Sequence, residues 1–401
     1  MIQSSSGALG RWLPLAKGIM PWIVDLRRII HQHPELMYEE FETSRLVQET
    51  LQSLDISFQA PLAETGVLAT LGNGQGPCVA LRADMDALPI QEIADVDFPS
   101  KVDGKMHACG HDCHTAMLLG AARLLKEYES NIQGTVKLIF QPAEEGGAGG
   151  KRMRDANVLK APDVQRIFGL HVWHLVETGQ ITSRGGAFLA ATTKMEIVIK
   201  GTGGHAALPH LTHDPVVTAA KVVEQIQTMV SRETDPLSPL VVSITAIHGG
   251  EAFNVIPAQV EMRGTMRALS TTQIGHAKNR LTELVKAIAT ANQCQAEIDF
   301  VGEDYPATVN SEALWQTTGE IWASEFGEQA VVQAAPVMGG EDFSFYTEEV
   351  PGCFVGLGMR NESLGSVYSM HHPKFKVDEA ALPLGAALHC AFAVGSLVEL
   401  A

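Results

Sequence analysis

Eight consecutive residues, His107 to His114 in the run HACGHDCH, carry three histidines, two cysteines and an aspartate. Imidazole and thiolate are the preferred ligands of zinc and its neighbours, and carboxylate suits manganese. A structural zinc site repeats a spaced Cys or His pair, and no partner pair follows downstream. The run therefore reads as one part of a site whose remaining ligands lie elsewhere in the chain. The second candidate is Glu144–Glu145 in QPAEEGG, just after an apolar stretch. Adjacent residues on extended chain point in opposite directions, but a turn at a strand end can aim one at a metal and leave the other beside water. That divides the labour between a ligand and a general base, and a metal-activated water needs a base to take its proton as it attacks. His171, His174 and the pair His371–His372 add imidazoles. Together these residues are enough to ligate two metal ions.

The surrounding elements are the ones that could bring these residues together. PWIVDLRRIIHQHPE has helical spacing and stops at Pro34. FETSRLVQETLQSLD reads as a second helix and HTAMLLGAARLLKEYES as a third. The apolar runs in PCVALRADMDALP, TVKLIFQPAEEGG and RIFGLHVWH read as buried strands ending in Asp, Glu or His. Strands alternating with helices predict an α/β layer on a mostly parallel sheet, where ligands bind beyond the carboxyl ends of the strands. The middle of the chain differs. TTKMEIVIKGTGG alternates like a half-exposed strand, and a β-α-β-β-α-β order over about 188–302 predicts a ferredoxin-like α+β domain. Asp214 and Pro215 suit the start of its first helix, and Ser270 with Gln273 predicts a capping box for its second. The expected organisation is a catalytic domain in two parts, 21–187 and 303–401, with the second domain inserted at 188–302.

Bulk properties narrow the function classes. The chain has 401 residues and a formal net charge of -17. Such acidity argues against nucleic acid, which demands a basic footprint, and against an anionic membrane surface. No stretch is read as the roughly 20-residue apolar segment of a membrane span. Six cysteines without a CxxC pair do not form a disulfide framework. Cys78, Cys294, Cys353 and Cys390 read as small buried hydrophobes, and Cys113 is given no role. The N-terminal segment up to about residue 20 reads as a leader of unclear role. The expected compartment is the cytoplasm or an organelle interior.

RADMDALP, HACGHDCH, QPAEEGGAGG, GLHVW, GTGGHAALPH, AFNVIPAQVEMRGTMR, GGEDFSFY and HHPKF, in this order, resemble the motif set of the dinuclear-metal amidohydrolases. That family includes aminoacylases, hippurate hydrolases and hydrolases of auxin–amino acid conjugates. The resemblance runs from about residue 22 to the C-terminal helix. It implies that Cys109, His111, Glu145, His171 and His371 hold two divalent ions per subunit, with His371 chosen over His372 because the family's histidine stands two residues before a proline. It implies Glu144 as general base and Asp84 and Asp112 as residues that orient the ligands. The inserted domain resembles the family's lid and dimerisation domain, implying a homodimer. There His205 resembles an oxyanion donor, and Asn254 and Arg267 lie in the segment that resembles the substrate-binding strand. His174 departs from the family pattern and leaves that edge of the pocket open. Thiolate and imidazole favour zinc, cobalt or nickel, and the carboxylates admit manganese.

The function that follows is hydrolysis of N-acyl-amino acids, of the aminoacylase, hippurate or indole-acetyl-amino acid type, by metal-activated water. The alternatives are a dipeptidase or carboxypeptidase of the same family, for which no acidic residue facing a free amine is evident, and a non-catalytic binding protein on this fold.

Overall fold

Thr135–Gln141, Cys78–Asp84, Arg166–Glu177 and Gly352–Arg360 lie side by side as parallel strands. The first two are buried at every position, which is why each reads as an unbroken apolar run rather than an alternating one. They form the centre of an eight-stranded sheet in a computed structural model that describes residues 7–401. The hairpin Ser57–Leu62 and Gly66–Gly72 extends one edge antiparallel, and Ile181–Ser183 and Val331–Gln333 extend the other. Register sets Asp84 opposite Gln141 and Arg82 opposite Gly169, so Asp84, Gln141 and His171 stand at one level of the sheet. This α/β unit comprises residues 7–188, 308–335 and 342–401.

The second unit spans 189–307 and 336–341, against the 188–302 expected from sequence. Its antiparallel sheet has the order Leu240–His248, Gln259–Ala268, Ala191–Lys200, Gln295–Tyr305. That is the order of the ferredoxin-like motif. Helices Pro215–Thr228 and Thr271–Ala291 pack on the sheet, and Met195, Ile197, Ile199, Val222, Ile226, Met262, Leu281 and Val285 form the core. The Asp214 carboxylate caps the first helix by accepting from the amides of Val216 at 2.8 Å and Val217 at 3.2 Å. Only half of the expected capping box forms. Ser270 Oγ accepts from Gln273 N at 3.4 Å, but the Gln273 side chain donates to the Ser238 carbonyl at 2.7 Å instead of reaching back.

Three features of the first unit differ from the sequence reading. The strand carrying His171 does not end there. Its pairing with Gly352–Arg360 carries it on to Glu177, so His171 is an inward-facing residue within the strand. The segment Glu379–Leu400 does reach the length and apolarity of a membrane span, yet most of it is buried. It packs on helices Gly7–Gly18, Met20–Gln32 and His111–Glu127 and on the sheet, and a helix covered on all sides is apolar all round.

The third concerns the N-terminal leader. Residues 1–6 lie outside the described residues. Gly7–Gly18 is a helix of the first unit, with Leu9, Trp12, Leu13 and Ala16 in the core and Trp12 packed edge-on against Tyr128 at 5.3 Å. Truncating this anchor should open a large cavity. Trp12→Ala is expected to cost about 3–5 kcal/mol of unfolding free energy, measured by denaturant melts. A wild-type midpoint would show that this helix does not belong to the folded core.

Candidate metal centre

Gly110 separates Cys109 from His111 at a φ of +87°, where a Cβ would meet Val172 Cγ2 at 2.4 Å. Glycine alone fits there, and the turn it permits starts helix His111–Glu127 with both neighbouring side chains buried. Cys109 Sγ lies 3.3 Å from His171 Nε2. The His171 Nδ1–H donates to the Val172 carbonyl at 2.8 Å, which leaves Nε2 as the bare nitrogen on the Cys109 side. His111 is oriented the same way, with Nδ1 3.2 Å from Asp86 Oδ1. Its Nε2 is buried without a hydrogen-bond partner among the described residues, the nearby Asp84 Oδ2 standing off at 3.7 Å.

The Glu144–Glu145 turn follows Thr135–Gln141. Asp86 grips it through two amides, accepting from Glu144 N at 3.0 Å and Glu145 N at 2.9 Å. The two side chains then part. Glu145 Oε1 is 3.1 Å from His371 Nε2, whereas Glu144 Oε1 accepts from the Asp342 amide at 3.3 Å. His371 reaches Glu145 from a left-handed backbone conformation at φ +65°, fixed by its own amide donating to the Ala108 carbonyl at 2.8 Å. His372 instead stacks on Tyr368 at 4.5 Å and accepts from Lys374 N.

Two triads of donor atoms result, Cys109/His111/His171 and Cys109/Glu145/His371, each with all atoms within 4.8 Å of one another. They share the Cys109 sulfur. His111, Glu144 and Glu145 form a third such group. Electrostatics favours a cation here. Burial pushes the Cys109 thiol well above its ordinary range, and Glu145, Glu144 and Asp84 push it further. Burial alone would depress His111, but Asp84 and Asp86 outweigh it and lift the imidazole to about 10. The crowded carboxylates raise both groups, adding to burial at Cys109 and opposing it at His111. Thiolate, imidazole and carboxylate converging beside an orphaned imidazole nitrogen fit divalent cations of the zinc to manganese series.

The other residues singled out in the sequence are placed as follows. Asp84 accepts from Arg82 at 2.7 Å and from His114 Nδ1 at 2.6 Å. His114 Nε2 in turn accepts from the Val172 amide, so both His114 nitrogens are used. Asp112 turns away from the donor cluster and binds Arg27 at 2.7 Å and His31 at 2.8 Å. Burial opposes its charge, but Arg27 and His31 hold its carboxyl well below the usual carboxylate range. It therefore ties helix Met20–Gln32 to the start of His111–Glu127, and touches no donor of the cluster. His174 Nδ1 lies 3.0 Å from Met370 Sδ. His205, Asn254 and Arg267 belong to the second unit. His205 is exposed and pairs with Val255, Asn254 O accepts from Ala206 N, and Arg267 donates to the Met338 carbonyl at 2.8 Å. All six cysteines are buried and unpaired.

Asp86 escaped the sequence reading, although its spacing of two from Asp84 puts both carboxylates on one face of extended chain. Asp342, in GGEDFSFY, was also given no role. It binds Arg82, Gln141 and the Gly150 amide and braces the far side of the glutamate turn. Because Asp86 orients His111 and both glutamates, Asp86→Ala is expected to weaken metal binding about 10–100-fold with the fold intact. Titration of the metal-free protein with zinc, read by calorimetry beside circular dichroism, checks this. Wild-type affinity would remove Asp86 from its assigned part.

The peptidase family M20/M25/M40 model matches residues 80–394. The IAA-amino acid hydrolase ILR1-like 4 of Arabidopsis thaliana is 47% identical over 409 residues, covering 100% of this chain and 92% of that protein. Thermostable carboxypeptidase 2 of Saccharolobus solfataricus is 43% identical over 384 residues, covering 94% and 96%. Among solved structures, the YXEP protein of Bacillus subtilis, described as a dinuclear metal binding peptidase, superposes with a TM-score of 0.81 at 35% identity, covering 95% and 99%.

Proposed function

The chain belongs to peptidase family M20/M25/M40, and from that premise we propose that it hydrolyses the amide bond of N-acyl-amino acids, releasing a carboxylic acid and a free amino acid. The observation that carries this is the pairing of two donor triads through Cys109 with Glu144 beside them, turned away from the Glu145–His371 contact. In this reading Cys109, His111, Glu145, His171 and His371 are the ligands and Glu144 is the base. Divalent cations held by these donors would supply Lewis acidity towards water and the amide carbonyl. Glu144 takes the proton of the attacking water and passes it to the leaving amine. The Asp342 amide orients its carboxylate, which is buried. Asp86 holds the backbone of both glutamates in one turn. No covalent acyl-enzyme is needed, and the sequence has no GxSxG elbow.

The plant-type relative, named for hydrolysis of an IAA-amino acid, supports an indole-acetyl or similar acyl group. The relative named a carboxypeptidase supports a second reading, removal of a C-terminal amino acid from a peptide. This reading includes a homodimer, an interior compartment, and zinc or manganese as the resident metal. Light scattering, cell fractionation and metal analysis of the purified protein test those three points.

The decisive assay measures amino acid release from N-acetyl, N-benzoyl and indole-acetyl amino acids and from N-blocked and free dipeptides, using metal-stripped enzyme reloaded with zinc or manganese. We expect turnover of N-acyl-amino acids that chelation abolishes and reloading restores. Release from dipeptides alone would favour the peptidase reading, and no release from any substrate would undo both. Glu144→Gln should retain both metals and lose about 10²–10⁴-fold in kcat. A Gln variant near the wild-type rate would remove Glu144 as base.

A further inference from the structure

The Glu144–Glu145 turn is held at its other end by a residue from a distant part of the chain. Glu40, fully buried just before helix Phe41–Ser53, accepts two backbone amides on one oxygen. Tyr38 N and Ala143 N each lie 2.9 Å from its Oε1, and Thr65 Oγ1 donates to its Oε2 at 2.6 Å. Three successive amides, Ala143, Glu144 and Glu145, are therefore each taken by a buried carboxylate, the first by Glu40 and the next two by Asp86.

Those two anchors act on strained chain. Ala143 has φ +54° and Tyr38 has φ +63°, a left-handed conformation that costs a residue with a Cβ about 1 kcal/mol or more and persists only where its surroundings enforce it. Glu40 enforces it at both. The Tyr38 hydroxyl closes the strap by donating to the Gly147 carbonyl at 2.6 Å, so the segment Tyr38–Glu40 holds residue 143 at one end of the glutamate turn and residue 147 at the other. Arg152 lies over the Tyr38 ring at 4.2 Å and keeps it in place.

We propose that Glu40 is a positioning residue for the reaction: through Ala143 it sets the direction in which the Glu144 carboxylate leaves the turn. The proposal rests on the reading of Glu144 as base. Glu40 touches neither substrate nor metal donor. Asp86 takes the amides of Glu144 and Glu145 and Glu40 takes the one before them, so loss of Glu40 frees the Ala143 backbone from which the Glu144 segment leaves. Glu145 is tethered a second time by His371, and the Glu144 carboxylate by the Asp342 amide. Burial pushes the Glu40 carboxyl up to about 7. The strap tolerates either protonation state, because a protonated carboxyl keeps a carbonyl oxygen for the two amides. A glutamine should therefore serve nearly as well, its amide nitrogen facing the Thr65 hydroxyl, which can accept as well as donate.

The test compares Glu40→Ala, Glu40→Gln and Tyr38→Phe with wild type as metal-loaded enzymes on the N-acyl-amino acid that wild type turns over fastest. Glu40→Ala should lower kcat about 10–100-fold, with KM within about threefold and two metals still bound, because a small misplacement of a catalytic group is that expensive. Glu40→Gln should stay within about threefold of wild type. Hydrogen exchange of residues 141–150 should quicken in Glu40→Ala and not in Glu40→Gln. The idea is overturned by wild-type kcat in Glu40→Ala, by equal losses in the Ala and Gln variants, or by metal loss in proportion to activity loss. Should Glu40→Ala not fold, Tyr38→Phe decides: a fall in kcat of about 3–10-fold sustains the strap, and an unchanged kcat ends it. If wild type turns over none of the panel, the substrate reading fails. The exchange experiment still judges the strap, which stands if exchange quickens in the Ala variant alone and falls otherwise.

Discussion

Negative charge gathered away from water is the constraint on which the rest of the first unit depends. Asp84, Asp86, Glu144 and Glu145, with the Cys109 sulfur, converge where the central parallel strands deliver their carboxyl ends. Burying even one unpaired carboxylate costs several kcal/mol. Each is therefore met by a specific partner: Asp84 by Arg82, Asp86 by two amides and His111, Glu144 by the Asp342 amide, Glu145 by His371. Burial and the nearby carboxylates raise Cys109, and Asp84 and Asp86 raise His111 against its burial. Thiol, imidazole and carboxylate donors gathered in such a pocket suit a divalent cation.

Precision at such a centre comes from the residues behind the donors. His171 and His111 each commit one ring nitrogen to a neighbour, so the other is bare and directed. The glutamate turn is held by Asp86, Asp342 and Glu40, which come from three separate stretches of chain. Left-handed φ values at Ala143 and His371 mark where the chain is bent to suit the site rather than its own preference. Further out, Arg27 couples Asp112 to Glu379 and so links three helices around the donor loop.

The proposed division of roles between adjacent glutamates also rests on this scaffold. On a regular strand they would face opposite sides of the sheet. The turn after Gln141 lets both approach one cluster, with Glu145 at the histidine and Glu144 at the Asp342 amide. A hydrolytic centre needs this: one carboxylate close enough to bind the cation, and one near it but able to carry a proton. The family relationship and the donor groups both fit hydrolysis at a metal centre.

Much of this was legible in the sequence because it depends on local pattern. The all-buried strands are unbroken apolar runs, the antiparallel sheet of the second unit alternates, and the dense HACGHDCH run and the paired glutamates identify metal chemistry by residue type alone. Asp214 could be read as a cap because capping is decided within a single turn of helix. Tertiary structure decided whatever depends on partners remote in the chain. The Gln273 side chain went to Ser238 instead of its own cap, and Asp112 went to Arg27 instead of the donor cluster. The strand through His171 continued because Gly352–Arg360 lay beside it, and the apolar C-terminal helix became core because other helices and the sheet covered it. Asp86 and Glu40 look like ordinary acidic residues in the sequence. Their importance arises only when the fold brings them to the amides of one turn, across 58 to 103 positions of chain, since a hydrogen bond depends on distance and direction in space and not on separation along the chain.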